Sequence, residues 1–324
     1  MSKKIAITGA NSFIGKAISD YLWEEGENFI VLDLKRPKVL PKDIPFYKID
    51  FTQPTSDVIL ADILNSENVD TLIHLAYISS PTKNFSLEHE LEVIGTMHVL
   101  HAVAATKIKR VIFKSTTMVY GANSSNPNFL TEKHKLMANP KYHFVREKVE
   151  SENLISDFRK KHKDISITVL RLASIIGSNI DYYLTRILNQ PLLITLLGFD
   201  PLYQILHEDD AVKAFITALY SDKDGIFNIA SEGLLPVSII LKLMGKIPIP
   251  VFHPLAYSIV DGMWLTGLSP IPPAHLDYIR YLSVTDISKS KDELGFIPEY
   301  SIKKAIEDFS KAQRLKKVRL LFND

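Results

Sequence analysis

The chain has no cysteine in 324 residues, which excludes disulfides, thiolate catalysis and cysteine-ligated zinc. Net charge is nearly absent: 38 Lys and Arg against 37 Asp and Glu leave +1. That balance gives no electrostatic footprint for nucleic acid, so no nucleic-acid partner is expected. Long uncharged apolar runs are missing too. The nearest, 247–260, carries three prolines and a histidine, so no membrane span is expected. A strand pattern already starts at Ile5, which leaves no room for a signal peptide, and a cytoplasmic location is the expectation. No internal repeat or low-complexity segment is present.

What is present is the composition of a soluble globular protein, 46% hydrophobic and 23% charged, long enough for one large domain or a domain plus a smaller lobe. Near the start, Ile5, Ala6 and Ile7 form a short apolar run with a β-branched residue at each end, the pattern of a buried strand. Residues 8–11 break it, and a helical pattern follows through Phe13, Ile14, Ala17, Ile18, Tyr21 and Leu22. A strand that turns into a helix through glycine leaves free N–H groups at the helix start, which suits a diphosphate. In TGANSFIG (8–15), Gly9 permits the tight turn and Gly15 lets the helix pack close to the sheet. Ser12 stands where a further glycine is expected, and its hydroxyl offers a hydrogen bond instead. Gly9, Asn11, Ser12, Phe13, Ile14 and Gly15 are thus candidate cofactor contacts. A second strand, Phe29 to Asp33, ends on an acid about where a dinucleotide fold places its ribose ligand. Such an acid accepts from both adenosine ribose hydroxyls and repels a 2′-phosphate, so NAD is favoured. Lys35 and Arg36 read as solvated loop cations but would ease a 2′-phosphate, which keeps NADP open.

A third strand spans Phe46 to Asp50. Asp50 has two readings: a carboxylate facing the adenine amino group, with Phe51 near the ring, or a cap of the next turn. The alternation continues with a helix over 58–64, a strand over 71–76, a helix over 87–105, a strand over 110–115, a helix over 147–160 and a strand over 165–171. Leu75 and Ala76 end the strand that runs to the same sheet edge as the glycine turn, so they join the cofactor candidates. Strands alternating with helices predict an α/β fold, a doubly wound parallel sheet with ligands beyond its C-terminal strand ends. After Arg171 the rhythm changes. Short strand-like pieces at 204–206, 226–230 and 283–285 separate proline- and aromatic-rich helices. The expected division is a cofactor-binding domain, 1–172, and a small C-terminal substrate lobe, 173–324, interwoven with the core.

These motifs together resemble the extended short-chain dehydrogenase/reductase superfamily, in its NAD-dependent epimerase/dehydratase branch. The carrying residues are TGANSFIG (8–15), Asp33, HLA (74–76), IGT (94–96), KSTTMVYG (114–121), LRLASIIG (170–177), HEDDA (207–211) and ELGFIPEYSIKKAIEDF (293–309). The resemblance implies a Rossmann-type sheet, an NAD cofactor, a small-molecule substrate such as a nucleotide sugar, and a possible homodimer. It also implies a Ser/Thr, a Tyr and a Lys as the catalytic set. Thr116 matches the first, counted back from Val119-Tyr120-Gly121.

The Tyr and Lys must stand at i and i+4 on one helix face, and KYHFVREKVESENLI (141–155) offers two registers. One pairs Tyr142 with Arg146. The other makes Lys148 the lysine, holding the nicotinamide ribose, and puts Phe144 in the tyrosine position. Stepping by 6, 7 and 10 from Lys148 lands on Leu154, Ile155 and Phe158, a face that packs on a sheet; from Arg146 it lands on Glu152, Asn153 and Ser156. The Lys148 register is favoured, although a phenyl ring has no proton to exchange. Glu92 replaces the Asn that the resemblance implies before Gly95-Thr96. Three readings follow: an oxidoreductase whose proton is carried by Tyr142, His143 or Tyr120; a catalytically silent NAD(P)-binding scaffold or sensor; or ordinary chemistry through Tyr142 and Arg146.

Other features carry less. His98 and His101 read as helix-surface or packing residues, and no metal is expected. The acids of HEDD (207–210) read as helix caps. No arginine stands in 202–206 to pair with a diphosphate. The apolar run 251–273 reads as a packing helix, a substrate-pocket wall or a subunit contact. The basic stretch from Lys311 to Arg319 reads as a solvated helix end.

Overall fold

The computed structural model describes residues 4–322, with side chains as far as Leu315. Its centre is a sheet of seven parallel strands: β1 (Ile5–Thr8), β2 (Phe29–Asp33), β3 (Phe46–Lys48), β4 (Thr71–His74), β5 (Arg110–Thr116), β6 (Ser166–Leu172) and β7 (Gly225–Ile229). Their spatial order is β7-β6-β5-β4-β1-β2-β3. The order reverses between β1 and β4, so a crevice opens beyond the ends of those two strands. The central strands are mostly apolar in their middles because helices cover both faces. On one face lie α1 (Phe13–Glu24) and the helix Glu208–Tyr220, through Ile14, Ile18, Leu22, Ala211, Ala214 and Phe215. On the other lie α2 (Ser56–Ser66), a long helix α3 over residues 85–104, and α4 (His143–Lys161), through Leu60, Val99, Val103 and Ile155.

The helix α3 runs continuously through Phe85–His89, Glu90–Ile94 and Gly95–Ala104, and its middle stretch is wound as π. One wide turn shifts the residues on either side of it and often marks a functional site. Here the wide turn holds Glu92, which is buried.

The second half of the chain is not a separate layer. The piece expected at 226–230 is β7, which adds to the edge of the main sheet in parallel with β6. The expected piece 283–285 is only a single bridge, Leu130 to Thr285. Three small two-stranded sheets complete this half: Ser174–Ile176 with Ile205–His207, Leu202–Tyr203 with Leu235–Pro236, and Leu192–Leu196 with Ile247–Val251. The run 251–273 supplies the helix His253–Thr266, which buries Ala256 and Val260 and leaves Phe252, Leu255 and Leu265 exposed. The long C-terminal helix Ile302–Phe322 presents Lys311 and Arg314 to solvent, while the side chains of 316–319 lie outside the described residues.

Two glycines set the geometry at the first turn. Gly9 has φ +69°, and a Cβ there would lie 2.5 Å from the Leu75 carbonyl carbon. A Cβ on Gly15 would lie 2.4 Å from the Gly9 carbonyl oxygen and 2.8 Å from Ala10 Cα. We expect Gly15→Ala to lower unfolding free energy by about 1–3 kcal/mol through overpacking against backbone. A urea midpoint unchanged from wild type would refute that close contact.

Beneath the switch point His74 is wholly buried, its ring edge-on to Phe51, Tyr77 and Phe113 at 5.4, 4.7 and 5.8 Å. The Thr8 hydroxyl accepts from Leu75 N–H (3.1 Å) and shares a hydrogen bond with His74 Nδ1 (2.7 Å). Burial, with the nearby Lys114 cation, lowers the His74 pKa from 6.5 to about 3. The unfolded chain therefore binds this proton near pH 6.5 and the folded chain does not. Its contribution is fully present above pH 6.5 and is lost as pH falls, at up to ~1.4 kcal/mol per pH unit. His275, buried and lowered to about 4, adds a second loss of the same sign. Urea unfolding between pH 7 and 4.5 should show this slope, and His74→Gln should make it shallower.

Candidate active site at the switch point

The crevice beyond β1 and β4 has a volume of about 560 Å³. Asn11, Ser12, Phe13 and Ile14 line it from the first turn, Thr116 from the end of β5 and Lys148 from α4. Gly9, Gly15, Leu75 and Ala76 do not line it; Gly9 lies against the backbone of Leu75 and Ala76, and Gly15 against that of Gly9 and Ala10. Asp33 stands at the end of β2 and accepts from Asn11 N–H (2.8 Å) and Leu34 N–H (2.6 Å). The Ser12 hydroxyl caps α1 by accepting from Gly15 N–H (3.0 Å).

Other sequence expectations meet different surroundings. Asp50 accepts from Thr52 N–H and Oγ–H (3.0 and 2.7 Å), the capping alternative, and these bonds hold its carboxyl below the usual range despite burial. Phe51 is buried against His74 and does not line the crevice. Tyr142 requires a correction. It is almost wholly buried in the second half's core, its hydroxyl 2.9 Å from His275 Nδ1, and burial raises its pKa well above the ordinary value. The residue just before α4 thus points away from the crevice, because the face of α4 that packs on the sheet carries Lys148 and Ile155 into it. The other two proton candidates are also elsewhere. His143 stacks on Phe85 and bonds Arg146. Tyr120 donates to Asn228 Oδ1 and accepts from Arg171.

At the tyrosine position Phe144 lines the crevice, and Lys148 Nζ lies 4.6 Å from its ring centroid. Lys148 donates to Glu92 Oε1 (2.9 Å) and to the Ile78 carbonyl (3.0 Å), and Glu92 Oε1 also accepts from Ile78 N–H (2.6 Å). Glu92 Oε2 is buried without a hydrogen-bond partner among the described residues.

Sequence reasoning assigned no role to Lys114, yet it lines the same crevice. The signal was available: residues i and i+2 of a strand share a face, and Lys114 precedes Thr116 by two on β5. Its ammonium and that of Lys148 each lie 5.7 Å from the Tyr77 ring centroid. Burial, reinforced by the Lys148 charge and opposed by Glu92, lowers the Lys114 pKa to about 8.

A buried polar chain supports the crevice wall. Ser115 donates to Glu152 Oε2 (2.6 Å), Arg171 donates to Glu152 Oε1 through Nε (2.7 Å) and Nη2, and Arg171 Nη1 donates to the Tyr120 hydroxyl (2.6 Å). Asn228 then donates to the Leu130 and Asp286 carbonyls, joining β7 to both segments. The HEDD acids also do more than cap. Glu208 accepts from Asn179 and Ile180 N–H (3.0 and 2.8 Å), fixing a loop that borders the crevice, and Asp210 accepts from Glu299 and Tyr300 N–H. His98 bonds Ser56, and the exposed His101 lies 3.9 Å from Asp57.

A seven-stranded parallel sheet with a glycine turn at its switch point defines a dinucleotide-type α/β fold. The chain belongs to the NAD dependent epimerase/dehydratase family, which it matches over residues 5–230. An uncharacterized protein of Mycobacterium tuberculosis is 29% identical over 325 residues, covering 97% of this chain and 85% of its own length. UDP-glucose 4-epimerase of Thermotoga maritima, solved with UDP-glucose, shares the fold at TM-score 0.73 and 21% identity over 97% of this chain and 99% of its own. A short-chain dehydrogenase/reductase superfamily protein of Agrobacterium tumefaciens, solved with bound NAD, does so at TM-score 0.74 and 18% identity, over 98% and 99%.

Arg171→Met should cost about 3–5 kcal/mol, because it leaves Glu152 buried without its cation. The double variant Arg171→Met/Glu152→Gln should recover part of the loss. Urea unfolding that shows no recovery would mean that the pair is not the source of the cost.

Proposed function

We propose that the protein is an NAD-dependent oxidoreductase of the epimerase/dehydratase type, acting on an alcohol or carbonyl carbon of a small molecule. The observation that carries this reading is the convergence of the glycine turn, Thr116 and Lys148 on one crevice, with Asp33 at the end of the neighbouring strand. The residues fit a dinucleotide: a turn whose backbone admits no Cβ, a carboxylate for ribose hydroxyls, and a lysine on the far wall. The carboxylate favours NAD over NADP. In this reading Asp33 accepts from the adenosine ribose, the turn from Asn11 to Ile14 receives the diphosphate, and Lys148 holds the nicotinamide ribose. When bound, the nicotinamide supplies a hydride acceptor and donor. Thr116 hydrogen-bonds the substrate oxygen.

With Phe144 in the tyrosine position, the proton falls to Lys114. Neutral Lys114 takes the hydroxyl proton as the hydride leaves the same carbon, and the ammonium returns it in the reverse direction. The groups that face it are Lys148, Glu92, Tyr77 and His74. Nucleotide sugars enter as substrates by likeness to the Thermotoga protein solved with UDP-glucose; other alcohols and ketones stand beside them. A cytoplasmic location and a homodimer belong to the same proposal.

The second reading is a silent NAD-binding scaffold or sensor, favoured by Phe144 and by the Glu92–Lys148 ion pair that already engages the lysine. Native mass spectrometry of the purified protein should show bound NAD(H) and read the subunit count. On a panel of nucleotide sugars, sterols and long-chain alcohols, substrate oxidation should rise with pH to a plateau above about 8. Lys114→Arg keeps the charge but cannot release a proton in this range, so it should lower turnover by about 10²–10⁴-fold while NAD affinity holds. Tight NAD binding with no turnover anywhere on the panel would leave the scaffold reading. Full turnover in Lys114→Arg would remove the proton role alone.

A further inference from the structure

A second and larger cavity, about 720 Å³, lies in the C-terminal half. It falls within the ~300–1,000 Å³ range of small-molecule sites. Its walls come from the helices Tyr183–Asn189, Val237–Leu243 and His253–Thr266, the strand Leu192–Leu196 and the segment 267–271. Leu193, Leu241, Met244, Val260, Met263 and Ile271 represent a lining that is apolar almost throughout.

Its polar side chains are few: the neutral Gln190 and Thr195, and Arg186, Tyr203, Ser269 and His275, which are engaged. Arg186 donates twice to Asp181 (3.0 and 3.3 Å). The Ser269 hydroxyl donates to the Ile271 carbonyl. His275 bonds Tyr142 and is kept neutral by burial, which lowers its pKa to about 4. Arg186 and Asp181 form an exposed pair at the rim, so a diphosphate seated among the inner apolar residues would lose its water with no cation beside it, a costly transfer. An apolar body loses nothing and gains from leaving water.

The inner end of the cavity adjoins the cofactor crevice. Tyr203 lines the apolar cavity, Ser174 lines the crevice, and their hydroxyls are 3.1 Å apart. Successive residues of the same chain serve both spaces: Ile175 and Tyr183 face the crevice, Ile176 and Leu184 the cavity. The outer end is open. Leu192 and Leu268 line the cavity and are 53% and 74% exposed.

We propose that this cavity seats the hydrocarbon body of a hydrophobic alcohol or ketone, whose single oxygen passes the Ser174–Tyr203 pair toward Thr116. The substrate is then a lipid alcohol or ketone and not a nucleotide sugar. The assignment rests on the oxidoreductase reading for the fate of the oxygen, but the apolar site itself does not.

Binding can be measured apart from turnover with N-phenyl-1-naphthylamine, a neutral dye that fluoresces in apolar sites. The dye should bind, and either 1-hexadecanol or a 3-hydroxysteroid should displace it, the first indicating an extended chain and the second a fused-ring body. UDP-glucose should not. Leu241→Trp and Met244→Trp, which fill the cavity, should each weaken dye binding by at least ~10-fold while NAD(H) affinity, read by titration calorimetry, stays at the wild-type value. That unchanged affinity shows that the variants are folded. Displacement by UDP-glucose, or full dye affinity in both variants, would overturn the proposal. Dye binding that appears only when an oligomer dissociates would also overturn it, by showing that a second copy covers the exposed leucines. Failure of NAD(H) to bind the wild-type protein would overturn the oxidoreductase reading while leaving the apolar site intact.

Discussion

Backbone-on-backbone contact at the switch point is the constraint on which the rest depends. Gly9 lies against the carbonyl of Leu75, and Gly15 lies against the carbonyl of Gly9, at separations that no side chain permits. Three elements, β1, α1 and the strand β4, are therefore brought closer than ordinary packing allows. The helix N-terminus then faces the crevice, and Asn11 N–H reaches Asp33 across the next strand. A larger residue at either position would push α1 away from the sheet and open the floor of the site.

The same crevice is unusual in its charges. Two lysines approach one tyrosine ring from β5 and α4, and one buried carboxylate faces them from the π turn of α3. Glu92 takes Lys148 by a direct bond, which leaves Lys114 with the ring and the field of its neighbours. Enclosure makes its charged form costly. That cost lowers the Lys114 pKa to about 8, whereas the phenyl ring of Phe144 cannot titrate at all.

The second half of the chain is held by buried polar bonds as much as by packing. Glu208 fixes the loop at 179–180, Asp210 fixes the segment at 299–300, and the Glu152–Arg171–Tyr120–Asn228 chain links α4, β6, the turn after β5 and β7. Each of these groups would be expensive to leave unpaired. The lobe is thus tied to the sheet at several points, and the apolar cavity can be lined by residues that contribute little to that attachment.

Much of this was legible in the residues themselves. Alternating strand and helix patterns, the TGANSFIG turn and the acid ending β2 are local signals, and local spacing decides them. Helix periodicity likewise placed Lys148 and Phe144 on the packed face of α4, because one face of a helix must meet the sheet. Tertiary structure alone decided what lay across the chain. Tyr142 bonds His275, 133 residues away, and the strand β7 returns to the sheet after a long excursion, which no window of sequence reveals. The lowered pKa of Lys114 is of the same kind, since it arises from burial and from the charge of Lys148 on another element. So is the second cavity: the run 251–273 offered a pocket wall as one of three readings, and only assembly set Val260 and Met263 of it opposite Leu193 and Leu241. Short-range pattern determines which elements form; only their assembly determines which groups lose water and which meet.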